Sequence, residues 1–162
     1  MKERSLIIFT LLSQLAAGIF IILLGCFTWF LSVVDIDQAI RWCTPGLIVV
    51  AGAMAAAMIT SLFHLGNPHN AWRAASNFRS SWLSREIILI IAFTAITLLM
   101  GGIAGSGIPL HGLLYSLGGM GAMVGVALVY VMSRIYCQRT VPTWNTWQTL
   151  VHFFLTTLAL GA

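Results

Sequence analysis

Charge is what this sequence has least of. Eight Lys and Arg and four Asp and Glu make up only 7% of 162 residues, whereas an ordinary soluble domain carries about 25%. So few ionic groups cannot clothe a water-facing surface on a chain this long. The deficit excludes a soluble globular domain, a disordered tail and a nucleic-acid-binding module, so no nucleic-acid partner is expected. Cysteine is also sparse: Cys26, Cys43 and Cys137 form neither a CxxC pair nor a Cys/His cluster. That speaks against a structural zinc or a cysteine-ligated iron–sulfur centre in this chain. An odd, scattered set is a poor disulfide framework and reads as three free thiols in or near lipid. What the chain does have is apolar bulk, at 59% hydrophobic residues.

The uncharged stretches set the architecture. Ser5 to Val34 contain no charge, and about 20 apolar residues in a helix cross a membrane. The start, with Ala16-Ala17-Gly18 after an apolar run, has something of a signal peptide. The apolar run continues to Trp29 and Leu31, however, which favours a retained first helix over residues 6–30. A second span is expected over 45–65, with Pro45 in its first turn and Gly66-Asn67-Pro68 as its stop. Gly105-Ser106-Gly107-Ile108-Pro109 divides the next apolar run into spans 87–104 and 111–133. The last run, 148–162, is only about 22 Å long as a helix and ends without a polar flank, so it reads as a fifth span cut short in a fragment. The expected fold class is therefore all-α: a single integral membrane domain, a polytopic transmembrane helix bundle of four full spans plus a truncated fifth.

Small residues recur at helical spacing: Ala51, Gly52, Ala53, Ala55, Ala56 and Ala57, then Gly101 with Gly105 and Gly121 with Gly125. Such residues let membrane helices approach closely, in any polytopic protein. If the helices alternate, loops 66–86 and 134–147 share a face. Lys2, Arg4, Arg73, Arg79, Arg85, Arg134 and Arg139 then lie on it, while Arg41 lies opposite with Asp35 and Asp37. The positive-inside rule puts the N-terminus in the cytoplasm. The same arginines would also suit docking to an acidic partner subunit.

Ionisable groups near lipid depth are functional candidates because burial there is expensive. His64 ends the second span and Glu86 begins the third, at the same membrane face. A base and an acid facing one another can take and pass protons. Helix dipoles alone would also favour a histidine at one helix end and a glutamate at the next start, with Ser84 as the N-cap. Their combination is what singles them out, since Glu86 is the sole acidic residue after Asp37. Between them Trp72, Phe78 and Trp82 interleave with Arg73, Arg79 and Arg85. This is either an interfacial segment with aromatic anchors or a lid over a quinone headgroup and a grip on a partner. Tyr136, Arg139, Pro142, Trp144 and Trp147 give the 134–147 loop a similar character. His111 and His69 read as solvated loop histidines, and His152 lies one turn into the fifth helix on the His64 side.

Two segments carry a family likeness. Ser61-Leu62-Phe63-His64-Leu65-Gly66-Asn67-Pro68, with Ala71 and Arg73-Ala74 and then Ser84-Arg85-Glu86-Ile87, resembles the connection between the second and third helices of the anaerobic dimethyl sulfoxide reductase membrane-anchor (DmsC) family. Arg134-Ile135-Tyr136, Thr140-Val141-Pro142-Thr143-Trp144 and Phe153-Phe154-Leu155-Thr156 resemble the connection after its fourth helix. The likeness covers the N-terminal part of a family with about eight membrane helices; the intervening helices share only hydrophobicity.

The resemblance implies a multi-pass subunit of the bacterial inner membrane that anchors a molybdopterin catalytic subunit and an iron–sulfur electron-transfer subunit. It implies oxidation of menaquinol as substrate, terminal reduction in another subunit, and no haem, metal or iron–sulfur cluster in this chain. By motif, the family's functional histidine falls on His64 and its functional glutamate on Glu86. Trp72, Trp82, Arg73, Arg79 and Arg85 would contribute to quinol binding or partner docking. Two other readings stay open: a b-type cytochrome anchor with His64 and His152 as haem ligands, and a structural anchor without chemistry. A transporter is disfavoured, because it would place polar groups and broken helices near the bilayer midplane.

Overall fold

A computed structural model describes residues 2–62, 77–137 and 144–162 of the chain. Five helices make up this part: α1 (Lys2–Phe30), α2 (Ile36–Leu62), α3 (Trp82–Ser106), α4 (His111–Tyr136) and α5 (Trp147–Gly161). The first four are long and apolar enough to cross a membrane, as expected. The fifth has 15 residues. In lipid every backbone group must be satisfied within the segment, which is why apolar runs of this length become helices.

Two helices start earlier than their apolar runs. The expected start of α2 at Pro45 is corrected to Ile36, which leaves Pro45 inside the helix. The Asp35 carbonyl accepts the first helical bond, from Ala39 N–H at 3.0 Å. The extra turns are amphipathic: Ala39 and Cys43 are buried while Asp37, Arg41 and Trp42 are exposed, so mean hydropathy passes over them. Proline removes an N–H from the ladder, and beside it Thr44 Oγ1 donates to the Ile40 carbonyl at 2.8 Å. Helix α3 starts at Trp82, and its N-cap is Ser81 instead of the expected Ser84, whose backbone N–H donates to Ser81 Oγ at 3.4 Å. At its other end Gly107 takes a left-handed conformation, φ 68°, which a side chain would oppose.

Helix α1 packs against α2, α4 and α5, and α3 packs against α2 and α4. Hydrophobic drive between helices is weak in lipid, so close packing decides these contacts. Gly121 and Gly125, singled out by their spacing, are used this way. A Cβ on Gly121 would come 2.6 Å from Phe20 Cζ, and one on Gly125 would come 3.1 Å from Phe93 Cε2. The two rings meet edge to face at 5.3 Å. Gly18 on α1 and Gly161 on α5 let those backbones touch. Gly101 and Gly105 behave otherwise: a Cβ on either would meet no described atom within 4 Å. Their spacing marks no helix contact among the described residues.

The long-range contacts define the two ends of the bundle. At one end the start of α1 meets the end of α4, with Thr10 Oγ1 3.1 Å from the Tyr136 hydroxyl. There Gln14 Nε2 also donates to the Phe153 carbonyl of α5 at 3.3 Å. At the other end Phe27 meets Tyr115 and Phe30 meets Trp42. All three cysteines are free thiols, with Cys43 buried and Cys26 and Cys137 partly exposed.

Candidate functional site

Glu86 is the centre of the candidate site. Because α3 begins at Trp82, Glu86 stands in the second turn, past the reach of the helix start. It is 6% exposed, and the other inward residues of α3 include Ile90, Phe93, Thr97 and Met100. These recur at the heptad-like spacing of one helix face, so Glu86 points into the bundle. No hydrogen bond or ion pair joins its carboxyl to a described residue; the ion pair found among those residues is His111–Asp37, at the far end.

Trp82, one turn earlier, organises the surface beside it. The Tyr130 ring stands edge-on at 6.1 Å. The Arg85 guanidinium lies 4.3 Å from the Trp82 ring centroid and that of Arg134 lies 5.5 Å away, both within cation–π range. Arg85 also donates through Nε to the Phe78 carbonyl at 2.9 Å and through Nη2 to the Arg79 carbonyl at 2.8 Å. It therefore ties the 77–80 turn to the start of α3. Arg79 is exposed, with its guanidinium 5.9 Å from the Phe78 ring. The structure thus brings Trp82 and Arg85 together with Tyr130 and Arg134 of α4, while Glu86, one turn further along α3, is turned inward. His64, Trp72 and Arg73, with His69 and Arg139, lie outside the described residues.

Two other histidines are placed. His152 is exposed on α5. His111, expected in a solvated loop, is the first residue of α4, and its Nε2 lies 2.9 Å from Asp37 Oδ1. This pair ties the start of α4 to the start of α2.

Sequence reasoning missed the polar groups of α1. Thr10, Ser13 and Gln14 are all buried, at 8%, 0% and 3% exposure. Thr10 Oγ1 donates to the Leu6 carbonyl at 3.0 Å, besides its contact with Tyr136. Ser13 Oγ is buried without a hydrogen-bond partner. The signal was present: three polar residues at i, i+3 and i+4 inside an apolar run mark one helix face.

Comparison with known proteins agrees with this architecture. The family model described as DMSO reductase anchor subunit (DmsC) matches residues 1–162. The chain is 32% identical over 161 residues to the YnfH chain of an anaerobic dimethyl sulfoxide reductase of Escherichia coli K12, covering 98% of this chain and 55% of that one. It is 34% identical over 159 residues to the C chain of the anaerobic dimethyl sulfoxide reductase of the same organism, covering 95% and 53%. The C subunit of the sulfite dehydrogenase of Allochromatium vinosum is 31% identical over 136 residues, covering 76% and 42%. The chain thus spans about half the length of the curated relatives it matches. No solved structure matches. With its four apolar spans and a family match over all its residues, this multi-pass membrane chain belongs to the DMSO reductase anchor subunit (DmsC) family.

Proposed function

We propose that this chain forms the quinol-oxidising part of a membrane anchor for a molybdopterin oxidoreductase of the dimethyl sulfoxide reductase type, with menaquinol as substrate. The observation that carries this reading is Glu86: a carboxyl 6% exposed on the inward face of a membrane helix, with no partner among the described residues. Such a group is expensive in a membrane interior and marks a site of chemistry. Family membership supports this reaction, and the HLG-x-P and S-x-E-I motifs support His64 and Glu86 as the residues that serve it.

Oxidation of a quinol to a quinone releases two electrons and two protons. In this reading His64 accepts one hydroxyl proton as a base, and Glu86 accepts the second or relays it to water. The electrons leave to the iron–sulfur partner subunit and from there to the molybdopterin subunit, where the terminal acceptor is reduced. Trp72, Trp82, Arg73, Arg79 and Arg85 serve quinol binding or partner docking in this reading. Stacking of Arg85 and Arg134 on Trp82 supports this role, because it holds two cations fixed at the start of α3, on the residue one turn before Glu86. Arg4, Arg79, Arg85 and Arg134 belong to the α1-start end of the bundle and Arg41 to the other, which supports an N-in orientation in the bacterial inner membrane.

The test uses the complete anchor with both partner subunits in membranes. His64→Ala and Glu86→Gln are each expected to lower quinol-dependent turnover by about a hundredfold or more, the usual weight of a general base. Turnover with a soluble dye that donates directly to the partner subunits should stay at the wild-type rate. Wild-type quinol turnover in both variants overturns the reading and leaves a structural anchor.

A further inference from the structure

Ser13 is fully buried, and its hydroxyl has no hydrogen-bond partner. Buried polar groups are nearly always paired, so an orphan hydroxyl inside a membrane bundle points to a ligand that pairs it. Helix register shows what it faces. Helices α1 and α3 run in the same direction, and Phe20 of one meets Phe93 of the other at 5.3 Å. Two turns back from Phe93 is Glu86, and two turns back from Phe20 is Ser13. A second contact checks this. Gly121 takes both Phe20 and Ile96, and equal steps back from those residues reach Thr10 and Glu86. Glu86 therefore stands level with the turn of α1 from Thr10 to Ser13.

The other polar groups near this level are engaged. Thr10 is bonded to the Leu6 carbonyl and Tyr136, and Ser133 Oγ donates to the Tyr130 carbonyl at 2.6 Å. The α4 residues at this level, Leu128 and Met132, are apolar and fully buried. Ser13 Oγ and the Glu86 carboxyl are thus the two groups of this layer left without a partner among the described residues.

We propose that Ser13 and Glu86 are the two walls of one buried site that holds a hydroxyl group between them, either that of a water molecule or that of the quinol headgroup. The held O–H donates to the Glu86 carboxyl, and its oxygen accepts from Ser13 Oγ. Ser13 is thereby a positioning residue for Glu86; its bearing on turnover rests on the proposed quinol oxidation, whereas the site itself does not.

Infrared difference spectroscopy of the complete complex tests this, reading the Glu86 carboxyl stretch identified by its loss in Glu86→Gln. Ser13→Ala removes only the hydroxyl and is expected to assemble normally while shifting that band. Ser133→Ala, whose hydroxyl is already committed, should leave it unmoved. A shift without quinol assigns the hydroxyl to water, and a shift seen with menaquinol alone assigns it to the headgroup. Quinol turnover in Ser13→Ala should fall about tenfold, the size of one hydrogen bond. Ser13→Cys, close in volume and a weaker donor, should shift the band in the same sense and replaces Ser13→Ala if that variant does not assemble. An unmoved band with wild-type turnover overturns the site. Wild-type turnover in Glu86→Gln with the band still shifted by Ser13→Ala overturns the functional reading alone.

Discussion

The two ends of this bundle are built from the same scarce supply of polar groups and use them oppositely. Towards the end where α1 starts, polar side chains are turned inward: Thr10, Ser13, Ser84, Glu86 and Ser133 are all buried. At the far end the ions face outward. Asp35, Asp37 and Arg41 are exposed, and the interior is an apolar cavity of about 60 Å³ lined by Phe20, Leu23, Phe27, Cys43, Leu47 and Met100. Ions at a membrane surface remain solvated, whereas a buried carboxyl loses its water and needs a compensating interaction. The far end therefore has the arrangement that stability alone favours. The near end carries groups that stability alone would not keep, and that is the physical ground for placing chemistry there.

The largest way to break this comparison is at Glu86 and His64, where each substitution should remove quinol turnover by about a hundredfold while dye-driven turnover persists. Next comes the packing that holds α1, α3 and α4 in register. Gly121→Ala puts a methyl group 2.6 Å from the rigid end of the Phe20 ring, so it should destabilise the bundle by about 1–3 kcal/mol, read from thermal inactivation in detergent. Gly101→Ala, which meets no described atom, should be neutral or stabilising by up to about 1 kcal/mol through helix propensity. Equal effects of the two would show that the glycine contacts do not set the register.

Trp82→Ala removes the ring shared by Arg85, Arg134 and Tyr130, and should weaken the α3–α4 contact by about 1–2 kcal/mol. Trp82→Phe should recover part of that loss in the same inactivation assay. The smallest effect belongs to the far end. His111→Ala and Asp37→Asn remove an ion pair in which Asp37 is 66% exposed, so each should change stability by less than about 1 kcal/mol. The double variant should match the singles, and added salt should erase the difference. A loss at His111–Asp37 as large as at Gly121 would mean that the two ends are not the different structures described above.

Much of this fold is legible in the residues themselves. Residues 5–34 and the run divided at Gly105–Pro109 announce their helices, because lipid admits few other backbone solutions. Glu86 announces itself by standing alone. The starts of α2 and α3 are less legible: an amphipathic turn such as Ile36–Thr44 does not raise mean hydropathy, and Ser81 and Ser84 are equally good caps by residue type. The spacing of Gly101–Gly105 and of Gly121–Gly125 is identical, yet among the described residues only the second pair meets aromatic rings.

Composition and local pattern determined that the chain is a membrane helix bundle, where its spans lie, and that one carboxyl stands apart from every other acid. Those follow from the cost of moving charge and unpaired backbone out of water, which depends on nearby sequence alone. Which helices touch, and at what height, was decided by tertiary packing. Phe20 against Gly121 and Phe93 against Gly125 set the heights of α1, α3 and α4, and so brought Ser13 level with Glu86. No local rule relates two residues 73 positions apart; the interlocking of rings and glycines between helices does.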